Sequence, residues 1–238
     1  MLKNMTGWAH PEKRVHLFIL AASAILFFIL AYFVTSGSEN IIDEDAFVFC
    51  RRFTCPAVTQ LGKIITFFGT GTFLIPCYVL IIYLLVKKGR KRLAVISATI
   101  AVSGLLLGWL LKDLFHRTRP PYHLVNGAGG YSFPSGHALG GFIFTGVVLS
   151  VLWKTSLNSS FKYLFSVFII LFGSLIGISR IYLHVHFATD VLGSLLIAIL
   201  WFSLLHFAFR SINIKEISKT KKLYPDPSEY SPDNYSLN

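Results

Sequence analysis

Six apolar stretches organise this chain: residues 15–34, 64–86, 93–111, 138–153, 163–179 and 191–209 contain no lysine, arginine, aspartate or glutamate. A helix needs roughly 20 apolar residues to cross about 30 Å of hydrocarbon. Four of the stretches meet or approach that length. The two shorter ones, 138–153 and 163–179, are lengthened by polar residues at one end that belong to the motifs described below. The pattern predicts an all-α integral membrane bundle of six transmembrane helices.

The charged positions fall between the stretches, and their distribution orients the bundle. With the N-terminus on the cytoplasmic side, 15 of the 22 lysines and arginines fall on cytoplasmic segments: the lead, the 87–92 turn, Lys154, Lys162 and the C-terminal tail. This is the positive-inside bias, so the net charge of +11 is topological and gives no reason to invoke nucleic acid. Both termini are therefore expected in the cytoplasm. With 54% hydrophobic and 14% charged residues the chain cannot cover itself with a polar surface, since soluble domains carry about 25% charge.

The organisation follows: a cytoplasmic lead over 1–14, a membrane domain over 15–210, and a polar, disordered tail over 211–238 that carries Pro225, Pro227 and Pro232. The first stretch is longer than a signal-peptide core of about 7–15 residues, which favours a retained helix. The acidic first outer loop, with Glu39, Asp43, Glu44 and Asp45, reads as a solvated face along the membrane surface. Gly62, Gly69 and Gly71 suit close helix contacts. Cys50 and Cys55 flank that loop's Arg51 and Arg52 and leave a disulfide open, while Cys77 reads as core packing.

Chemistry enters at the extracytoplasmic ends of the later stretches. Lys112 and Arg119-Pro120 close the third, Pro134-Ser135-Gly136-His137 opens the fourth, and Ser179-Arg180 closes the fifth, with His186 and Asp190 following. Charge beside lipid is costly unless it acts together, and two arginines with a lysine suit phosphate. His186 and Asp190 stand four positions apart, one face of a helix. A carboxylate on one ring nitrogen leaves the other free to attack phosphorus; the same pair also suits a plain helix cap. Ser135 is a favoured N-cap residue, a helix start attracts anions, and Gly136 lets backbone approach closely. His137 is placed to act as acid and base. A merely structural Arg180 would call for an acid, and Asp190 is the only carboxylate within its motif, so Arg180 favours a shared site over a plain cap. His116 and Arg117 add positive potential without an assigned role, and His123, His184 and His206 read as structural. Trp109 and Trp153 fit interfacial aromatic belts.

These residues resemble the type-2 phosphatidic acid phosphatase family, membrane lipid phosphatases related to vanadium haloperoxidases. The family pattern, Lys-x6-Arg-Pro, Pro-Ser-Gly-His and Ser-Arg-x5-His-x3-Asp, is complete here from Lys112 to Asp190. The resemblance implies His186 as phosphoryl acceptor, Asp190 as its orienting partner and His137 as general acid. It also implies Lys112, Arg119, Arg180, Ser135 and Gly136 as phosphate holders, with no metal and no cofactor. The implied substrate is a phosphorylated membrane lipid in the bilayer: undecaprenyl diphosphate, phosphatidylglycerol phosphate, phosphatidic acid or lipid A phosphate. Short loops favour a bacterial inner membrane, with the site facing the periplasm or exterior. Two alternatives stand beside hydrolysis: a lipid phosphotransferase using the same histidine, and an anionic lipid transporter. The lack of an internal repeat speaks against the transporter.

Overall fold

The computed structural model describes residues 11–36 and 41–223; the lead before Pro11, Glu39, and the tail beyond Leu223 lie outside the described residues. The described residues form eight helices and no strand. They are α1 (Pro11–Thr35), α2 (Ile41–Arg51), α3 (Pro56–Phe67), α4 (Gly71–Lys87), α5 (Lys91–Phe115), α6 (Gly136–Leu152), α7 (Ser159–Tyr182) and α8 (Ala188–Leu223). Four carry spans long and apolar enough to cross a membrane: Arg14–Thr35, Lys91–Phe115, Ser159–Tyr182 and Ala188–Phe209. Outward side chains such as Phe18, Tyr32, Val102 and Leu164 are exposed, as lipid-facing positions are.

The second apolar stretch departs from the single helix read in the sequence. It is split between α3 and α4, which meet at 41° and count as a further span only when taken together. Thr70 accepts from the Phe73 N–H at 3.4 Å and starts a new helix there. Gly69 shows what the break permits: a Cβ on it would lie 2.7 Å from Ile176 and 3.0 Å from the His137 carbonyl oxygen. The bend thus brings backbone against the first turn of α6. Gly62 sits likewise against Tyr182 and Leu183, whereas Gly71 faces only Ile75 of its own helix.

At 17 residues, α6 is shorter than the four long spans and sits at the centre, packed against α4, α5, α7 and α8. It is apolar on every side, as a central helix must be. Its Leu139, Ile143 and Val147 join Leu74, Tyr78, Ile100, Ala101 and Ile197 in the main core. Gly104 and Gly108 of α5 receive Ile143 and Leu139, the small-residue contact by which helices approach in lipid.

At one end of the bundle the basic turns meet: Arg90 donates to the Lys154 carbonyl at 2.7 Å and Arg92 to the Phe209 carbonyl at 3.0 Å. The opposite end gathers the finish of α5 and α7 and the start of α6 and α8. The α5–α6 loop is pinned there by Phe133, which is wholly buried, stacked on Phe27 and edge-on to Phe115. α8 continues to Leu223, beyond the boundary at 210 read in the sequence. Cys50, Cys55 and Cys77 are free thiols.

Gly69→Val should break the contact of the α3–α4 bend with α6 and α7, because the nearest atoms include the His137 backbone, which cannot rotate away. The overpacking should cost about 1–3 kcal/mol, read as a lowered Tm in detergent. Gly71→Ala, which meets no neighbouring element, should leave Tm unchanged.

Candidate active site

The turn between α7 and α8 builds the centre. The N–H groups of Val185 and His186 both donate to the Arg180 carbonyl, at 3.2 and 3.3 Å, folding 181–186 back on the end of α7. His186 therefore precedes α8 and does not share a helical face with Asp190, as the four-residue spacing alone suggests. Their contact forms nonetheless: Nδ1 lies 3.3 Å from Asp190 Oδ2. The same oxygen accepts the Phe187 N–H at 2.9 Å, an acid in the first turn reaching back to the capping residue.

Asp190 has no exposed surface, and its carboxylate is fully engaged. Oδ2 also accepts a short hydrogen bond from Ser132 Oγ, and Oδ1 accepts from Arg117 Nη1 at 2.6 Å. The arginine paired with Asp190 is thus Arg117. Arg180 is buried at the end of α7, and its Nη1 donates to Thr66 Oγ1 of α3 at 2.6 Å. The reason is position: Arg180 lies under α3, while Arg117 comes from the loop that crosses the mouth of the site.

Around His186 the other cations close in. Arg119 Nη1 is 3.1 Å from His186 Nε2 and donates to the Val185 carbonyl at 2.7 Å. Its Nε reaches the Gly130 carbonyl at 3.0 Å, which fixes the guanidinium plane. Lys112 Nζ donates to the Tyr131 carbonyl at 2.6 Å, and its Cε lies 3.7 Å from where a Cβ on Gly136 would stand. His137, half-buried in the first turn of α6, lies within electrostatic reach of Arg180, His186, Arg119 and Lys112. All eight residues singled out in the sequence thus gather at one end of the bundle.

Ser135 differs from its expected role. It precedes α6, but its hydroxyl caps nothing. Ser135 Oγ and Arg180 Nε are buried without a hydrogen-bond partner in the protein. Such groups are rare enough to call for a reason. Among the described residues no three His, Cys, Asp or Glu side chains cluster as a metal requires.

Three residues escape the motif reading: Ser132, Arg117 and Asp43. Asp43 of α2 is 3% exposed instead of solvated, and accepts from Arg117 Nη2, Thr189 Oγ1 and the Thr189 N–H, each at 2.8 Å. Ser132 stands two residues ahead of Pro134, where a polar side chain leading into a helix start is a usable signal. Asp43 carries no comparable signal.

Below the charged cluster a groove of about 200 Å³ runs between α4, α5 and α6. Its wall includes Leu105, Trp109, Leu139 and Ile143, and Lys112 and Gly136 stand at its charged end. Trp109, read from sequence as an interfacial anchor, is therefore also a groove wall.

A helical membrane bundle with cations, two histidines and a buried carboxylate at the mouth of an apolar groove defines a class of protein that handles charged amphiphiles. The chain belongs to the PAP2 superfamily, which it matches over residues 92–213. It is 32% identical over 190 residues to phosphatidylglycerophosphatase B of Bacillus subtilis, covering 76% of this chain and 89% of that one. It is 30% identical over 208 residues to an undecaprenyl-diphosphatase of Sulfolobus acidocaldarius, covering 84% and 92%. The crystal structure of a transmembrane PAP2-type phosphatidylglycerolphosphate phosphatase from Bacillus subtilis superposes with a TM-score of 0.74 at 25% identity, over 82% of this chain and 98% of that one. The resemblance read from the motifs is thereby established, and the chain is an integral membrane protein of that superfamily.

Burial pushes the His186 ring down from its ordinary 6.5 to about 4; Asp190 pulls it up, while Arg119 and Lys112 lower it further. A folded His186 that stays neutral favours folding fully above pH 6.5. That contribution fades as pH falls from 6.5 through about 4. Imidazole NMR should find His186 neutral at about pH 6, with a midpoint well below the free value; a midpoint at or above the free value would refute the burial effect.

Proposed function

We propose that this protein is a membrane lipid phosphatase that removes a terminal phosphate from a lipid phosphate or diphosphate through a phosphohistidine on His186. The observation that carries the reading is the line Asp190–His186–Arg119, with Ser135 Oγ and Arg180 Nε beside it lacking partners. Asp190 takes Nδ1, so Nε2 keeps its lone pair on the side of the cations. A phosphate entering there would displace Arg119 from Nε2 and give its oxygens to Arg119, Arg180, Lys112, Ser135 and the Gly136 backbone.

The reaction then runs in two balanced halves. Nε2 forms a bond to phosphorus as the bond from phosphorus to the lipid oxygen breaks, and His137 donates a proton to that departing oxygen. The positive charge left on the phosphorylated ring is met by Asp190. Next His137 takes a proton from water, the water oxygen bonds to phosphorus, and the P–N bond breaks to free inorganic phosphate and neutral His186. Fixed cations and a helix start stabilise the transferring group, so no metal is assigned a step.

Lipid substrates are supported by the groove that begins at Lys112 and Gly136 and opens between apolar helices. Phosphatidylglycerol phosphate and undecaprenyl diphosphate head the candidates, since proteins similar to this chain are named for acting on those lipids; phosphatidic acid and lipid A phosphate remain on the panel. The topology proposed has six spans: α1, the bent α3–α4 pair, α5, α6, α7 and α8. Both termini lie in the cytoplasm, with the site facing outward. The phosphatase domain covers 15–210 and a cytoplasmic tail follows. The gathering of the basic turns at the end away from the site supports that orientation.

Purified protein should release phosphate from one or more of phosphatidylglycerol phosphate, undecaprenyl diphosphate, phosphatidic acid and lipid A phosphate, with EDTA present. His186→Ala should lower the rate by about 10⁴-fold or more, and His137→Ala should accumulate acid-labile phosphohistidine. Phosphate release by His186→Ala at the wild-type rate would refute the mechanism. Leu105→Trp, intruding on the groove wall, should reduce the preference for long-chain over short-chain substrate severalfold.

A further inference from the structure

We propose that Asp43 and Arg117 form the positioning pair of this site, through which α2 holds the carboxylate of Asp190 in line with His186. The inference rests on the reading of His186 as the nucleophile and adds two residues outside the motif positions.

The need for the pair follows from how α8 begins. Phe187 occupies the capping position, and its side chain has no acceptor to offer the free N–H groups of the first turn. Asp190 satisfies the Phe187 N–H. The Thr189 N–H is satisfied by Asp43 Oδ1 at 2.8 Å, a carboxylate 146 residues away. Asp43 therefore caps the helix from outside, and the helix it caps carries Asp190.

Arg117 completes the frame. Its guanidinium lies over the Phe187 ring, 4.0 Å from the centroid, and divides its donors between two carboxylates. Nη2 goes to Asp43 Oδ2 at 2.8 Å and Nη1 to Asp190 Oδ1 at 2.6 Å, with Thr189 Oγ1 also at 2.8 Å from Nη1. Only a planar fork with fixed donor directions spans both acceptors. One oxygen of Asp190 is thereby tied on the side away from His186, and the other is left in the ring's direction. Asp43 carries the charge that balances Arg117. Without it the guanidinium loses the partner of Nη2 and keeps only its Nη1 contacts to Asp190 and Thr189, so its aim on Asp190 Oδ1 is less firmly fixed. α2 lies outside the apolar spans and docks on the bundle through Phe47, which packs on His184 and Phe187, together with this buried polar contact.

Neither residue touches the transferring phosphate in this arrangement, so both act through Asp190 and the effect falls on turnover. The test uses the full-length protein in detergent, with the lipid of the panel above that the wild type hydrolyses fastest. Asp43→Asn keeps the shape and an acceptor for the Thr189 N–H while removing the charge. It should lower kcat on the order of 10- to 100-fold, as removal of groups that orient a functional histidine does, with KM within about twofold. Arg117→Lys, which keeps the cation but cannot reach both acids, should do the same and stands in if Asp43→Asn does not fold. In an Asp190→Asn background, adding Asp43→Asn should cost less than about twofold, since the group it positions is already gone. A kcat near wild type in both single variants, a loss confined to KM, or an equal loss in the Asp190→Asn background would each overturn the proposal. If His186→Ala retains phosphate release, the functional reading fails as well; if His186→Ala is inactive and Asp43→Asn is fully active, only this inference fails.

Discussion

A buried carboxylate at the start of a membrane helix is the constraint from which the rest of this site follows. Asp190 is shielded from water, and an ionised group there costs several kcal/mol unless it is paired and hydrogen-bonded. The fold meets that demand with four donors from two places: the Phe187 N–H and His186 ring of its own turn, and Ser132 and Arg117 of the α5–α6 loop. Each donor fixes a segment. The loop is held across the mouth, Phe133 locks beneath it, and α2 is drawn in through Asp43. Removing one donor would leave charge stranded, so the arrangement is far more rigid than its few polar contacts suggest.

Packing supplies the second half. The charged groups converge because the elements that carry them alternate in direction around α6, so that α5 and α7 finish where α6 and α8 begin. Glycines at the α5–α6 contact let the two helices approach, and the bend at 68–70 brings α3 and α4 against both α6 and α7. The groove opens beside that tight contact. Charge and apolar space thus lie side by side, which suits an amphiphile with an anionic head and an apolar tail.

Much of this was legible in the residues. Apolar stretches marked the helices because lipid demands continuous apolar surface, and Lys112, Arg119, His137, Arg180, His186 and Asp190 stood out because charge beside such stretches is rare. What was not legible depended on long-range geometry. The split of the second stretch turns on contacts between Gly69 and residues of α6 and α7, and glycine alone states only that a close approach is allowed. The contact of Arg180 with Thr66 had no signal because Thr66 is an unremarkable residue in sequence, and the arginine that holds Asp190 sits at an unassigned position inside the first motif. Asp43 looked like part of a solvated acidic face because Glu44 and Asp45 beside it are exposed. Its partners lie 74 and 146 residues away, beyond any local periodicity.

Burial acts on the two members of the dyad in ways that serve the same chemistry. For His186, loss of water disfavours the protonated ring and keeps a lone pair available at Nε2. For Asp190, the same loss of water is tolerable only because of its hydrogen bonds, and those bonds fix the direction in which it faces the ring. The dry environment that keeps the His186 ring neutral also compels the network that orients it. A more open site would relieve the carboxylate of its partners and hydrate the histidine, giving up both. The cations stand apart from this bargain: Arg119, Lys112 and Arg180 lean mainly on carbonyl or hydroxyl oxygens. Their charge is therefore left for an incoming anion instead of being consumed by a fixed carboxylate. Separating the arginine tied to Asp190 from the other cations lets one small cluster be firmly held and still present positive charge to an anion.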